Sequence, residues 1–180
     1  MGSQQVTWVI LAGLPGTGKS TLAGALAQRA GVAAAILDKD RVRAALFPDA
    51  LTDYTREQDD LCMTAIYDAA AYLTRQGKTR LILLDGRTYS LRAQRETAIR
   101  AAESAGAQWR LIHVVCPDEV AEVRLSQQQA GHPAQNRTPE LYRAMKARWE
   151  EIAEPHLVVE MTAEVEAAVA IVEPYLKKGV

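Results

Sequence analysis

The chain has 180 residues, 48% hydrophobic and 24% charged, a size that buries roughly 70% of the unfolded surface in a single core. Lys plus Arg number 21 against 22 Asp plus Glu, so no overall basic excess draws in nucleic acid or an anionic membrane, although a local basic groove remains compatible. No 18-residue apolar run marks a membrane span and no signal-peptide pattern opens the sequence, so a cytoplasmic location is expected.

Apolar runs alternate with helical stretches along the whole length, the pattern of a parallel sheet covered on both faces. Val6 to Ala12 reads as the first strand and Lys19 to Ala30 as the helix after it. Between them lies Gly13-Leu14-Pro15-Gly16-Thr17-Gly18-Lys19-Ser20, with Thr21 following. This is G-x-x-x-x-G-K-[ST] in the strand-to-helix context that the motif requires. Gly13, Gly16 and Gly18 let backbone N–H groups surround a polyphosphate closely. Lys19 supplies a charge for the β- and γ-phosphates, the helix N-terminus adds its dipole, and the Ser20 hydroxyl suits Mg²⁺. ATP or GTP binding follows from this stretch; what is done with the nucleotide does not.

A second strand, Ala34 to Leu37, runs into Asp38-Lys39-Asp40-Arg41-Val42-Arg43, charges at the strand end where open α/β sheets bind ligands. Asp40 is the preferred catalytic base, placed to accept the proton of a hydroxyl presented to the γ-phosphate. Asp38 is its competitor, with helix capping as its other use. Arg43, one turn beyond Asp40, is a candidate contact for an anionic or polyhydroxyl substrate, with a solvated surface arginine as the other reading.

Helices are expected over Arg41 to Leu46 and Thr55 to Arg75, the latter closed by Gly77. Leu81 to Leu84 reads as a fully buried strand ending at Asp85-Gly86-Arg87, which makes Asp85 a candidate Mg²⁺ carboxylate. Arg87 and Arg92 are candidates to grip a substrate phosphate or carboxylate, whereas Arg95, beside Glu96, fits a solvent-facing charge. A helix over Arg92 to Ala105, a strand over Trp109 to Val115 and a helix from Pro117 to about Gln129 complete the middle of the chain.

The polar stretch Gly131 to Arg137 breaks the periodicity and is expected to be a loop, in which Arg137 could act as an arginine finger in cis. A helix from Pro139 to about Glu151, a strand from His156 to Met161 and a closing helix from Ala163 to Lys177 follow. Cys62 and Cys116 have no paired spacing and read as structural thiols. The three histidines lack metal-ligand spacing, and His113 reads as a core residue.

Gly13 to Thr21, Asp38 to Arg43, Leu84 to Arg87 and Arg124-Leu125, in that order, resemble the P-loop kinases of small molecules and of polynucleotide 5′ ends, the circle of gluconate kinase, adenylylsulfate kinase, polynucleotide kinase and the zeta toxins. The resemblance covers nearly the whole chain. It implies an α/β P-loop NTPase three-layer sandwich, a single domain over residues 1–180, whose five parallel strands run in the order 2-3-1-4-5, with a small lid near 126–138. It also implies ATP and Mg²⁺, and a hydroxyl acceptor. Asp40 and Arg43 match that circle's D-x-x-R base and substrate contact, and Arg124 matches its adenine-stacking arginine.

Two positions depart from the pattern. Tyr89 stands where the adenylate kinases carry an arginine, and Gln128 stands where a lid arginine is usual, which leaves Arg137 to substitute. The expected activity is therefore transfer of the γ-phosphoryl group of ATP to a hydroxyl of a small metabolite. A polynucleotide 5′-hydroxyl kinase and a regulatory ATP-binding protein are the alternatives, and monomer and homodimer are both open.

Overall fold

The computed structural model describes residues 5–127, 138–162 and 164–177. Five strands, β1 (Thr7–Ala12), β2 (Ala34–Asp38), β3 (Leu81–Asp85), β4 (Gln108–Val115) and β5 (His156–Glu160), form one sheet in the order β2-β3-β1-β4-β5, every pair parallel. The order is the one that the resemblance implied. Seven helices are described: α1 (Lys19–Ala30), α2 (Lys39–Leu46), α3 (Arg56–Gln76), α4 (Arg92–Ser104), α5 (Asp118–Gln127), α6 (Pro139–Lys146) and α7 (Val165–Lys177).

The alternation of side chains along a strand divides the core in two. From the central strand β1, Trp8, Ile10 and Ala12 point to one face, where they meet Met63, Ile66 and Ala70 of α3 and Ala98 and Ala102 of α4. Val9 and Leu11 point to the other, against Leu22, Ala23 and Leu26 of α1 and Ala168, Val169 and Val172 of α7. All six residues of β1 are buried, which explains why Trp8 to Ala12 is a continuous apolar run rather than an alternating one. The layers are thus helix, sheet, helix.

Strand order reverses beside β1, and the carboxyl ends of β1, β2 and β3 converge on one crevice. Two glycines make the convergence possible. At Gly13, φ is 154° and a Cβ would lie 2.4 Å from the Val114 carbonyl oxygen of β4. At Gly86, just past β3, φ is 82° and a Cβ would meet Asp38 Oδ1 at 2.7 Å and the Lys39 nitrogen at 2.8 Å. The nucleotide loop is further tied to the β3 side by the Gly13 N–H, which donates to the Thr88 carbonyl at 3.0 Å.

Two segments differ from the periodicity reading. The helix expected to reach Glu151 ends at Lys146. Beyond it, the Glu150 N–H donates to the Ser90 carbonyl at 2.9 Å, and the Glu150 and Glu151 carbonyls accept from Arg95. Tertiary partners outside the segment therefore replace the helical ladder. Arg95 is the second correction: it does not face solvent but is fully buried, with its guanidinium donating to the carbonyls of Tyr89, Glu150 and Glu151 and to the Glu154 carboxylate. Most of the segment expected as a lid, with Gln128 and Arg137, lies outside the described residues. No described helix is long and apolar enough to cross a membrane.

Candidate active site

The nucleotide loop connects β1 to α1. Gly18 takes a left-handed conformation (φ 98°) at the N-cap of α1, leaving the helix's first N–H groups without a side-chain cap. Lys19 is buried, and its Nζ donates to the Gly13 and Leu14 carbonyls at 2.8 Å each. Thr17 is buried with its hydroxyl on the Leu14 carbonyl, whereas Ser20 and Thr21 are exposed at the start of the helix. Gly16 packs under α5, where a Cβ would lie 2.8 Å from the Ala121 carbonyl.

A cavity of about 420 Å³ opens beside this loop, and Pro15, Lys19 and Ser20 form one of its walls. Asp85, 2% exposed, lines it from the end of β3, and its Oδ1 is buried with no hydrogen-bond partner among the described residues. A buried carboxylate oxygen left without a donor is costly unless a cation or donor arrives. With the Ser20 hydroxyl on the same cavity, the donor set fits a divalent cation such as Mg²⁺. Among the described residues, no group of three or more His, Cys, Asp or Glu forms a protein-only metal cage, and Mg²⁺ commonly completes its shell with water and phosphate instead.

Opposite the loop stands a charged quartet. Asp40, in the first turn of α2, accepts from Arg43 Nη1 at 2.9 Å through Oδ1, and Lys39 Nζ lies 3.8 Å from the same oxygen. Asp59 of α3 completes the group: it accepts from Lys39 Nζ at 3.0 Å and from Arg43 Nη2. The Arg43 guanidinium also lies 5.0 Å from the Tyr54 ring centroid. Arg43 is therefore no solvated surface arginine; it is 3% exposed. Burial pushes the Lys39 ammonium down to about 8, an effect that Asp40 partly opposes.

Asp38 is occupied differently. Its Oδ1 accepts from the Asp40 and Arg41 N–H groups at 2.8 and 3.4 Å and caps α2. Burial, then the neighbouring Asp85 charge, raises its pKa above the ordinary value. Asp38 does not line the cavity, and Asp40 does.

The remaining sequence candidates separate cleanly. Arg87 lines the cavity, buried, with Nη2 donating to Asp60 at 2.8 Å. Arg92 does not: it is exposed on α4 and pairs with Glu96 at 2.7 Å, because its position on the helix turns it away from the crevice. Arg124 reaches from α5 to the Gly16 carbonyl (3.3 Å) and the Met161 carbonyl (3.0 Å), so its planar group lies beside the nucleotide loop. His113 stays outside the cavity, stacked on Trp149 at 4.9 Å, with burial and then His156 lowering its pKa to about 4. Tyr89, fully buried, takes φ 52° and cannot serve as a solvent-side phosphate contact. Cys62 is buried and Cys116 half-buried, both as free thiols.

Lys39, Tyr54, Asp59 and Arg148 belong to this site and were missed in the sequence. Asp59 carried a visible signal, an acid in the first turn of a helix, but that signal reads equally as dipole compensation.

Comparison with known proteins agrees with this geometry. A family model described as AAA domain matches residues 9–152. No curated protein matches the sequence. Among solved structures, the Mycobacterium tuberculosis APS kinase in complex with AMPPNP and APS aligns with a TM-score of 0.73 at 19% identity, covering 97% of this chain and 99% of that one. A gluconokinase from Sinorhizobium meliloti 1021 aligns with a TM-score of 0.67 at 15% identity, over 96% and 93% of the two chains. APE1195 aligns with a TM-score of 0.72 at 23% identity, over 97% and 96%. Identities this low speak for the shared fold rather than a shared substrate. With the model match spanning most of the chain and the nucleotide loop in place, the chain belongs to the AAA domain family, on a P-loop kinase-type fold.

Proposed function

We propose that the chain is an ATP-dependent kinase, a single domain over residues 1–180, that transfers the γ-phosphoryl group to a hydroxyl of a small molecule. The observation that carries this reading is the shared cavity: Lys19 and Ser20 of the nucleotide loop, Asp85 and Asp40 all line one crevice. A nucleotide switch needs no carboxylate on the far side of the γ-phosphate position; a phosphotransferase does.

In this reading Gly13, Pro15, Gly16, Thr17, Gly18 and Thr21 frame the phosphates, and Arg124 stacks on the base. The Lys19 ammonium exchanges its two loop carbonyls for phosphate oxygens. Ser20 and Asp85 hold Mg²⁺, which when bound neutralises charge on the phosphates. Arg43 fixes Asp40 through Oδ1 and leaves Oδ2 to accept the hydroxyl proton. The acceptor oxygen then forms its bond to the γ-phosphorus as the bond to the bridging oxygen breaks, with ADP leaving and the proton on Asp40. Arg43 and Arg87 contact the acceptor, and Arg137 adds charge to the transferring group from outside the described segment.

The test is ATP consumption with Mg²⁺ over sugars, sugar acids, amino alcohols, nucleosides and a 5′-hydroxyl oligonucleotide. One acceptor class should raise turnover well above background, and Asp40→Asn should lower it by about 10²–10⁴-fold with nucleotide affinity unchanged. Asp38→Asn, which keeps a capping side chain, should retain most of the activity. Turnover that survives Asp40→Asn would remove Asp40 as the base, and an oligonucleotide as the one productive acceptor would replace the metabolite by a polynucleotide end.

A further inference from the structure

The acceptor side of the cavity carries more positive charge than its own carboxylates balance. Lys39 and Arg43 are matched by Asp40 and Asp59, so the quartet is neutral as a unit. Three further arginines line the same wall: Arg56, Arg87 and Arg148. Arg87 and Arg56 share one carboxylate, Asp60, at 2.8 and 3.5 Å. Asp60 is itself half exposed, where water weakens its hold on either partner. Arg148 spends Nε on the Ala144 carbonyl at 3.2 Å and makes no ion pair among the described residues. Three guanidinium groups against one screened carboxylate leave a surplus of two charges.

Burial sharpens the point at Arg87. Its side chain is 8% exposed, and its Nε is buried without a hydrogen-bond partner among the described residues. A desolvated guanidinium with an unused donor is unfavourable by itself and becomes favourable when an anion reaches it. Guanidinium forks match the planar or tetrahedral oxygens of carboxylate, sulfate and phosphate. Uncharged polyols would leave the surplus uncompensated.

Resting on the kinase reading above, we infer that the acceptor bears a compact oxyanion (phosphate, sulfate or carboxylate) a few bonds from its reactive hydroxyl, and that Arg87 and Arg148 hold it with Arg56 at the rim. The quartet then presents the hydroxyl to Asp40, while the oxyanion fixes the other end of the molecule. Specificity resides in the distance between the two.

Two measurements test this. The first compares matched acceptors for ATP consumption: glycerol, glycerate and glycerol 3-phosphate, and glucose, gluconate and glucose 6-phosphate. The anionic members should exceed their neutral partners at least tenfold in kcat/KM, and the ranking among them identifies the oxyanion. The second measures inorganic sulfate binding by calorimetry to protein already saturated with AMPPNP and Mg²⁺, so that the nucleotide loop is filled. Sulfate should bind, Arg87→Gln should weaken it at least tenfold, and Arg148→Gln at least threefold. Arg148 is exposed, so its variant folds even where the buried Arg87→Gln does not. Turnover confined to neutral acceptors, or sulfate affinity unchanged in both variants, overturns the oxyanion site while leaving the kinase reading intact. Sulfate binding lost in the variants, with no turnover on any acceptor, upholds the site and counts against the kinase reading.

Discussion

Lys39 shows how a single buried charge can be both a cost and a tool. Burial lowers its pKa from 10.5 to about 8, yet its ammonium, together with the Arg43 guanidinium, joins Asp40 to Asp59. Between those two pH values the folded protein binds fewer protons than the unfolded chain, so the free energy of unfolding climbs as pH rises through the window. The climb attributable to Lys39 is roughly 3 kcal/mol from pH 8 to 10.5. Urea unfolding across that range should therefore show a rise in the wild type that is flattened in Lys39→Met; equal slopes in the two proteins would mean that Lys39 titrates normally. The residue was visible in the sequence only as one charge among five between Asp38 and Arg43. Its partner Asp59 is 20 positions away on α3, a pairing that no local pattern announces.

At the scale of elements, Arg95 acts as a pin. It stands on α4 but bonds to the loop before that helix and to the segment 150–154 leading into β5, so one guanidinium ties two pieces of backbone that have no ladder of their own to the helix. Arg95→Met should cost about 3–5 kcal/mol in denaturant unfolding, because several buried carbonyls and the Glu154 carboxylate lose their donor together. A loss under about 1 kcal/mol would show that water replaces the guanidinium there. The same contact explains where the sequence misleads. Strands β1 and β3 are legible because Trp8–Ala12 and Leu81–Leu84 are continuous apolar runs, and α1 because glycine and a Lys-Ser pair mark its start. Arg95 beside Glu96 has the pattern of a surface ion pair, and the polar stretch after Lys146 keeps a helical composition. Only the arrival of distant backbone reverses both readings. Arg92, by contrast, looks like a strand-end arginine of the substrate site, yet it starts α4 one turn before Arg95 and faces outward to Glu96.

Across the whole molecule, the chain order of strands brings three strand ends to one place, and the site is stabilised by whatever fills it. The carboxyl ends of β1, β2 and β3 carry, in turn, the nucleotide loop, the capped helix with Asp40, and Asp85. Asp85 and Asp38 sit at paired positions of β3 and β2, and their mutual repulsion contributes to the raised pKa of Asp38. A bound cation at Asp85 would relieve that repulsion as well as satisfy the unpartnered oxygen. Ligand that binds only the folded state stabilises it by mass action, about 2.7 kcal/mol at one hundred times the dissociation constant. Mg²⁺ with AMPPNP at that ratio should raise wild-type stability by this amount in thermal or denaturant unfolding, and chelation of the metal with EDTA should remove most of the gain. Asp85→Asn replaces the carboxylate by an amide of the same size, which leaves a weaker metal ligand and removes the repulsion on Asp38. The variant should therefore be at least as stable as the wild type without ligand, gain less from the nucleotide, and respond weakly to EDTA. A full nucleotide gain that remains sensitive to EDTA in Asp85→Asn would move the metal to Ser20 and the phosphates alone and leave the buried carboxylate as a structural charge.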